Sequence, residues 1–101
     1  MALPMVLAVE GGSFFKEAGG MAVLAMRLTA GILPKKLEFS LIKVDGLDAT
    51  EALVERIAGF GQRIDLVLSD SVPIAGFNMI DAGYIKRRTG VPAVFLLPEM
   101  P

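Results

Sequence analysis

Apolar and polar side chains alternate along several segments of the chain, and this alternation predicts β-strands. The clearest segment spans residues 36–44, where Glu38 and Ser40 lie opposite an apolar face. The apolar positions recur with a period of two, at Leu37, Phe39 and Leu41. Such a period is typical of a strand that buries its apolar face. Shorter apolar runs predict buried strands at 5–9, 64–68 and 93–97, with a Gly11-Gly12 turn after the first.

Two other segments show the spacing of helices. Asp48, followed three residues later by Glu51, resembles a capping box. Apolar residues then recur at helical spacing, at Leu53, Val54, Ile57 and Phe60. The first helix is therefore expected to begin after Asp48 and to end near 59–61. A second helix is predicted over 78–88, with Gly90 as its C-terminal stop. Its inward residues are Met79, Ile80, Tyr84 and Ile85. Segment 21–28 fits a strand or a helix, since small residues and flanking glycines leave its periodicity ambiguous.

Composition predicts one domain and narrows the available chemistry. The chain has 101 residues, of which 53% are apolar, so residues 1–101 form a single domain that buries roughly 65% of its unfolded surface. It contains neither Cys nor His. Thiolate metal sites, cysteine nucleophiles and histidine bases are therefore excluded. Any catalysis must use carboxylates, hydroxyls, Lys or Arg.

Charge and hydropathy limit the partners. The formal net charge of -1 argues against a strongly basic nucleic-acid surface. A local basic stripe remains at residues 86–88, Lys-Arg-Arg, although these cations also suit a solvated last helical turn. No run reaches the roughly 18 apolar residues of a membrane span, and residues 1–9 fit a first strand better than a signal peptide. We expect a soluble, cytoplasmic protein that does not bind membranes.

Four segments carry a family resemblance. They are 6–14 (Val-Leu-Ala-Val-Glu-Gly-Gly-Ser-Phe), 44–51 (Val-Asp-Gly-Leu-Asp-Ala-Thr-Glu), 66–81 and 89–94 (Thr-Gly-Val-Pro-Ala-Val). Segment 66–81 contains the run Ala-Gly-Phe-Asn-Met-Ile-Asp, which with Asp-Gly-Leu-Asp-Ala-Thr is the most specific part. In this order the segments resemble the archaeal family called domain of unknown function 99, or endonuclease dU. This family is related to endonuclease V. The resemblance covers nearly the whole chain.

The resemblance implies a fold. It is an α/β, ribonuclease-H-like mixed sheet of about five strands with two crossover helices, truncated at the C-terminus. The predicted order of three strands, helix, strand, helix, strand agrees with that core. The resemblance also favours a strand over 21–28. In such a sheet the first and fourth strands are adjacent and parallel.

The resemblance further implies a metal-dependent site at one edge of the sheet. Asp70 and Glu10 each follow an apolar strand, and the adjacent first and fourth strands are expected to bring them together. Asp48, at the start of the first helix, is expected to approach the same edge. We therefore predict Glu10, Asp48 and Asp70 as catalytic residues. Glu10 and Asp70 are the predicted ligands of Mg²⁺ or Mn²⁺, which prefer oxygen donors. The further candidates are Asp45, Asn78 and Asp81.

Each candidate also has a structural interpretation. Asp48 is a good N-cap, and Asp45 suits a tight Asp-Gly turn. Asn78 fits a helix cap and Asp81 an exposed acid in the first helical turn, where the helix dipole favours it. Asp70 is hardest to explain in this way, because polar residues interrupt an apolar strand at its end.

The chain departs from the family pattern at the predicted site. Two adjacent aspartates followed by Gly usually end the first strand of the family, whereas this chain has Glu10-Gly11-Gly12. Ser71 stands where Gly is frequent. Family members also continue past the point where this chain ends, at Pro101. A misplaced carboxylate can reduce a rate by orders of magnitude, so we expect a shortened relative of a metal-dependent DNA endonuclease for deaminated bases, with activity weak or lost.

The alternative function is a non-catalytic nucleic-acid-binding or protein-assembly module. A small-ligand pocket at the sheet edge is a third interpretation, and Gly11-Gly12 matches a phosphate-binding loop poorly. A sheet of this type needs cover on both faces. Since two helices cannot supply it in so apolar a chain, we expect a homo-oligomer, with DNA as a second candidate partner.

Overall fold

The computed structural model describes residues 3–15, 21–43, 48–69, 73–75 and 78–96. The regular elements within these residues are β1 (Met5–Phe15), β2 (Met21–Ala30), β3 (Leu33–Lys43), α1 (Ala49–Gly59), β4 (Leu66–Ser69), β5 (Pro73–Ala75), β6 (Asn78–Met79), α2 (Ala82–Thr89) and β7 (Ala93–Phe95). The ambiguous segment 21–28 is thus a strand, as the resemblance favours.

The main sheet has five strands in the order β3-β2-β1-β4-β7. β1, β2 and β3 form an antiparallel meander, whereas β4 pairs parallel to β1 and β7 parallel to β4. β5 and β6 form a separate two-stranded sheet. α1 connects β3 to β4, and α2 precedes β7. The expected mixed α/β sheet with two crossover helices is confirmed in the described part of the chain.

The core lies between α1, α2 and one face of the five-stranded sheet. Alternate strand positions such as Leu7 and Val9 are buried, as the period of two requires. These residues form one apolar cluster with both helices. Its main strand members are Leu7, Val9, Leu24, Met26, Leu28, Ile42 and Val67, and its main helix members are Leu53, Val54, Ile57 and Ile85. The helical spacing of α1 therefore predicted its buried side correctly.

The other face of the sheet carries the remaining alternate positions, and we call it the open face. Among the described residues both helices pack on the core side. The main residues of the open face are Val6, Ala8 and Glu10 of β1, Val23, Ala25, Arg27 and Thr29 of β2, Leu37, Phe39 and Leu41 of β3, Leu66 and Leu68 of β4, and Val94 of β7.

The sidedness of β3 differs from the prediction. The alternation over 36–44 is that of a strand, but its apolar positions lie on the open face and its polar positions face α1. Arg56 of α1 explains the inversion, since its Nε donates to Ser40 Oγ at 2.9 Å and an Nη donates to the Phe39 carbonyl at 2.9 Å. The same guanidinium lies 3.4 Å from the Glu38 carboxylate. A helix cation thus satisfies the polar side of this strand.

β1 is longer than predicted. Instead of turning at Gly11-Gly12, the strand continues to Phe15, and its pairing with β2 shifts register between Gly11 and Phe14. Glycines inside a strand commonly accompany such bulges. Glu10 therefore lies within β1 rather than at its end.

α2 begins four residues later than predicted. Asn78 and Met79 pair with β5, and the helix starts at Ala82. Asp81 is extended, with φ -101° and ψ 103°, and its carboxylate accepts from the Tyr84 backbone N–H at 3.0 Å. This N-cap sets the first turn. The predicted end is confirmed, because Gly90 adopts φ 77° and its N–H donates to the Lys86 carbonyl.

A carboxylate joins the beginnings of β1 and β4. Asp65 accepts from the Met5 backbone N–H at 2.8 Å and pairs with Arg63 at 2.9 Å. The hydrogen bond from Met5 and the charge of Arg63 hold the pKa of Asp65 below its ordinary value, although partial burial opposes them. This contact links segments 60 residues apart.

Candidate functional site

Glu10 lies near the middle of the five-stranded sheet, on the open face. β1 is flanked by β2 and β4, and Glu10 alternates with the buried Leu7 and Val9, so its exposed side chain points away from the core. In the parallel pairing of β1 with β4, Val9 lies opposite Ser69. Ser69, the last residue of β4, therefore lies beside Val9, the residue that precedes Glu10.

Two of the predicted acids lie outside the described residues. These are Asp70, which follows Ser69 in the sequence, and Asp45. Ser69 itself is buried, and its carbonyl accepts from the Leu96 N–H at 2.7 Å. The structure therefore describes β4 as far as Ser69, the residue that precedes Asp70 in the sequence.

Asp48 is held at the end of β3. Its carboxylate oxygens accept from the Lys43 backbone N–H at 3.2 and 3.3 Å. Asp48 occupies the N-cap position of α1, as predicted, but the contact with Lys43 is made to the strand rather than to the helix. Lys43 lies two strands away from Glu10 and four residues further along the register. This offset corresponds to roughly 17 Å between their Cα atoms.

That separation prevents a shared metal ion. Protein oxygen ligands lie within about 2.1 Å of Mg²⁺, and paired catalytic metals are about 4 Å apart. The structure therefore does not bring Asp48 and Glu10 together. Asp48 also lies at α1 on the core side, whereas Glu10 projects from the open face.

The remaining candidates, Asn78 and Asp81, lie near the N-terminus of α2. Asn78 is a residue of β6 rather than a helix cap, which corrects that interpretation. Asp81 is the N-cap: its carboxylate holds the Tyr84 N–H, and its own N–H donates to Thr50 Oγ at 2.9 Å. Asp81 therefore fastens the beginning of α2 to the beginning of α1, and the described contacts give it a structural role.

Arg27 is the neighbour of Glu10 that sequence reasoning missed. It is exposed, lies opposite Ala8, and is diagonal to Glu10, whose own partner across the strands is Ala25. Diagonal positions are about 7–8 Å apart, within reach of long side chains. The two line a shallow depression of about 80 Å³ with Ala8, Ala25 and Leu37. The signal was a single charged residue in the otherwise apolar segment 21–28.

The donors at Glu10 match a hard metal ion in type but not in number. The described residues contain no cluster of three or more acids, His or Cys suited to a metal. Glu10 supplies one carboxylate on its strand, and Asp70 is the candidate for a second. Because Arg27 is a nearby cation, it opposes the binding of another cation beside Glu10. A weak oxygen-ligand site is the most that these residues fit.

A second polar cluster joins α1 and α2 away from Glu10. The Tyr84 hydroxyl donates to the Glu51 carboxylate, and Arg88 donates to the same hydroxyl. The hydrogen bond to Glu51 raises the pKa of Tyr84 above its ordinary value of 10.0. Glu51 thus contacts the neighbouring helix, whereas a capping box would direct its side chain to Asp48.

Neither helix in the described residues has the length and apolar character needed to cross a bilayer.

Comparison with known proteins gives a consistent result. The family model for endonuclease dU matches residues 5–101. A UPF0215 protein of Methanopyrus kandleri is 26% identical over 98 residues, covering 95% of this chain and 50% of that protein. A UPF0215 protein of Pyrococcus horikoshii is 27% identical over 101 residues, covering 95% and 51%. One from Pyrococcus furiosus is 37% identical over 62 residues, covering 59% and 32%.

A solved structure shares the fold. The crystal structure of a protein of unknown function from Archaeoglobus fulgidus superposes with a TM-score of 0.82 and 22% identity. The match covers 97% of this chain and 56% of that one. The matches to the Methanopyrus and Pyrococcus horikoshii proteins cover almost all of this chain but only about half of each relative. The chain therefore spans about half the length of these relatives.

Proposed function

The chain belongs to the endonuclease dU family, and from this premise we propose that it retains a vestigial metal-dependent site for DNA phosphodiesters on β1 and β4. Glu10 and Asp70 are the proposed metal ligands, and the ion is Mg²⁺ or Mn²⁺. The ancestral reaction is endonucleolytic cleavage of DNA at deaminated bases, a role in DNA repair. In this chain we propose that cleavage is weak or absent.

The observation that carries the proposal is the parallel register of β1 and β4. Val9 and Ser69 are partners on the core side, and Glu10 and Asp70 are the next residue of each segment. This register is what supports Glu10 and Asp70 as a pair of oxygen ligands for one cation. Two neighbouring carboxylates repel, and a bound cation relieves such repulsion.

The proposed chemistry uses oxygen ligands alone. Glu10 and Asp70 would hold the ion through their carboxylate oxygens. A bound Mg²⁺ or Mn²⁺ would supply activation of water and stabilisation of the leaving oxygen of a phosphodiester. Arg27, beside Glu10, contacts a phosphate oxygen by a charge-assisted hydrogen bond.

Three features support weak or absent turnover. Gly11 stands where the family resemblance places a second acid, so one ligand is lost. Asp48 is held by Lys43 at the end of β3 and does not replace it. Arg27 also lowers the affinity of Glu10 for a cation. The joint placement of ligands determines such catalysis, so the loss of one is expected to reduce it strongly.

The second candidate is a non-catalytic module for assembly or nucleic-acid binding. The apolar surroundings of Glu10 and Arg27 on the open face favour it. In this alternative the fold is conserved as a scaffold, and the carboxylates have no metal to hold.

The deciding experiment measures metal binding before activity. Mn²⁺ is titrated by calorimetry into the wild type, Glu10→Gln, Asp70→Asn and the matched control Glu55→Gln, an exposed acid of α1. We expect weak binding to the wild type and the control, and its loss in both site variants. Heat that is absent from the wild type, or unchanged in the site variants, refutes the metal site.

Activity is tested on DNA containing deoxyuridine, deoxyinosine or only ordinary bases, with Mg²⁺ or Mn²⁺. We expect little or no cleavage. Cleavage that disappears in Asp70→Asn would establish a working nuclease and contradict the vestigial assignment. Cleavage that persists in that variant indicates a contaminant.

A further inference from the structure

The open face has the character of an interface rather than of a solvated sheet surface. In an antiparallel strand that has one face exposed to solvent, polar residues normally lie on the exposed face. β3 does the opposite. Leu37, Phe39 and Leu41 on the open face are 59%, 53% and 66% exposed. At the other edge of the sheet, Val94 of β7 is 45% exposed.

The size of this face suits a protein partner. Three neighbouring strands of 11, 10 and 11 residues span roughly 500 Å² at the usual strand spacing and rise. The exposed apolar side chains occupy part of that area, and apolar patches of a few hundred Å² are often functional. A standard interface buries about 800 Å² per partner, so the adjoining parts of β4 and β7 would have to contribute as well.

Charge specifies which partner fits. Within the apolar face the central charged residues are one acid, Glu10, and one base, Arg27, on adjacent strands. A two-fold axis that lies between two copies and passes midway between these residues places Glu10 of each copy over Arg27 of the other. A surface that contains both members of the pair is complementary to itself, which is the requirement of a symmetric dimer.

We propose that the open face is a homodimer interface, in which two copies pack their sheets face to face. The sheets lie about 10 Å apart, as in β-sandwiches. Phe39 and its apolar neighbours supply the buried area, while Glu10 and Arg27 of the partner subunit form a central ion pair that fixes the register. This pair occurs twice because of the symmetry.

The dimer has a consequence for Glu10. In the dimer its carboxylate is paired with Arg27 of the partner subunit, which weakens the binding of a metal ion to Glu10 without abolishing it. Assembly and metal binding are therefore competing states of one side chain. The Mn²⁺ titration above is repeated on a monomeric variant, so that failure of the metal proposal and failure of the dimer are distinguished.

The test is sedimentation equilibrium of the whole chain, with far-UV circular dichroism as the check on folding. We expect the wild type to be a dimer at micromolar concentration. Phe39→Glu introduces two buried charges per interface and is expected to raise the dissociation constant about 100-fold or more. The matched control is Ile32→Glu, since Ile32 is 95% exposed in the β2–β3 turn, off the open face. It is expected to leave the dimer unchanged.

A charge swap tests the pairing itself. Glu10→Arg and Arg27→Glu are each expected to dissociate the dimer by placing like charges together, and the double variant is expected to restore it. A monomeric wild type overturns the proposal, as does a dimer that Phe39→Glu leaves intact. If the double variant stays dissociated, the two-fold arrangement is wrong.

Discussion

Replacing Arg56 with Met tests why the polar side of β3 faces a helix. Two short hydrogen bonds, to Ser40 Oγ and the Phe39 carbonyl, are worth about 1 kcal/mol each. The contact with Glu38 adds less than about 0.5 kcal/mol, because its side chains are 43% and 40% exposed. Met keeps the apolar stem of Arg56. We expect the free energy of unfolding to fall by about 2 kcal/mol, and Tm to fall by roughly 10 °C.

The assay is urea unfolding at two protein concentrations, so that association does not enter the comparison. Arg87→Met is the control, because Arg87 is exposed on α2; a change below about 0.5 kcal/mol is expected there. A double-mutant cycle of Arg56→Met with Ser40→Ala should give a coupling of about 1 kcal/mol. Additive effects, or an Arg56→Met variant as stable as the control, would refute the assignment of β3's sidedness to this guanidinium.

Two further predictions concern titration. The folded pKa of Asp65 is lowered, chiefly by the Met5 N–H, so its contribution to stability is present above the ordinary value of 3.8 and is lost as pH falls through the lower folded value. The stability difference between wild type and Asp65→Asn should therefore shrink in acid; a constant gap contradicts this. Tyr84 is the single tyrosine, and the chain has no Trp, so ultraviolet absorbance reports its ionisation alone. Its midpoint should lie above 10.0 and fall in Glu51→Gln; equal midpoints in the two folded proteins would show that Glu51 is not the cause.

Periodicity identified β3 and α1, because main-chain geometry alone sets the period of the side-chain positions, and apolar runs identified β1, β4 and β7. Periodicity left β2 ambiguous, so its assignment depended on the resemblance, and the short strands β5 and β6 were not predicted. Nor did periodicity show which side of β3 is buried. That side depends on Arg56, 16 residues away from Ser40 in the sequence, and on the lack of a covering helix over the open face in the described residues. A local pattern contains neither fact.

The candidate site was predictable only in part. The placement of Glu10 beside the end of β4 follows from the strand order that the resemblance implied, and the structure confirms that pairing. The position of Asp48 was not predictable, because an N-cap is free to turn towards the preceding strand. Likewise, the start of α2 depends on the contact of Asp81 with Thr50, which lies on another helix.

The topology of the sheet also determines the order in which it is expected to fold. The meander of β1, β2 and β3 joins neighbours in sequence, and Gly31, with φ 59°, makes the tight β2–β3 turn. The β1–β4 pairing instead closes a loop of about 60 residues, which costs roughly 1.6 kcal/mol more in chain entropy than a ten-residue loop. The meander can therefore form the early nucleus, with β4 and β7 docking late. Before β4 docks, both faces of the partly formed sheet are exposed to solvent. The rate of β4 docking therefore determines how long this intermediate exposes apolar surface and can aggregate.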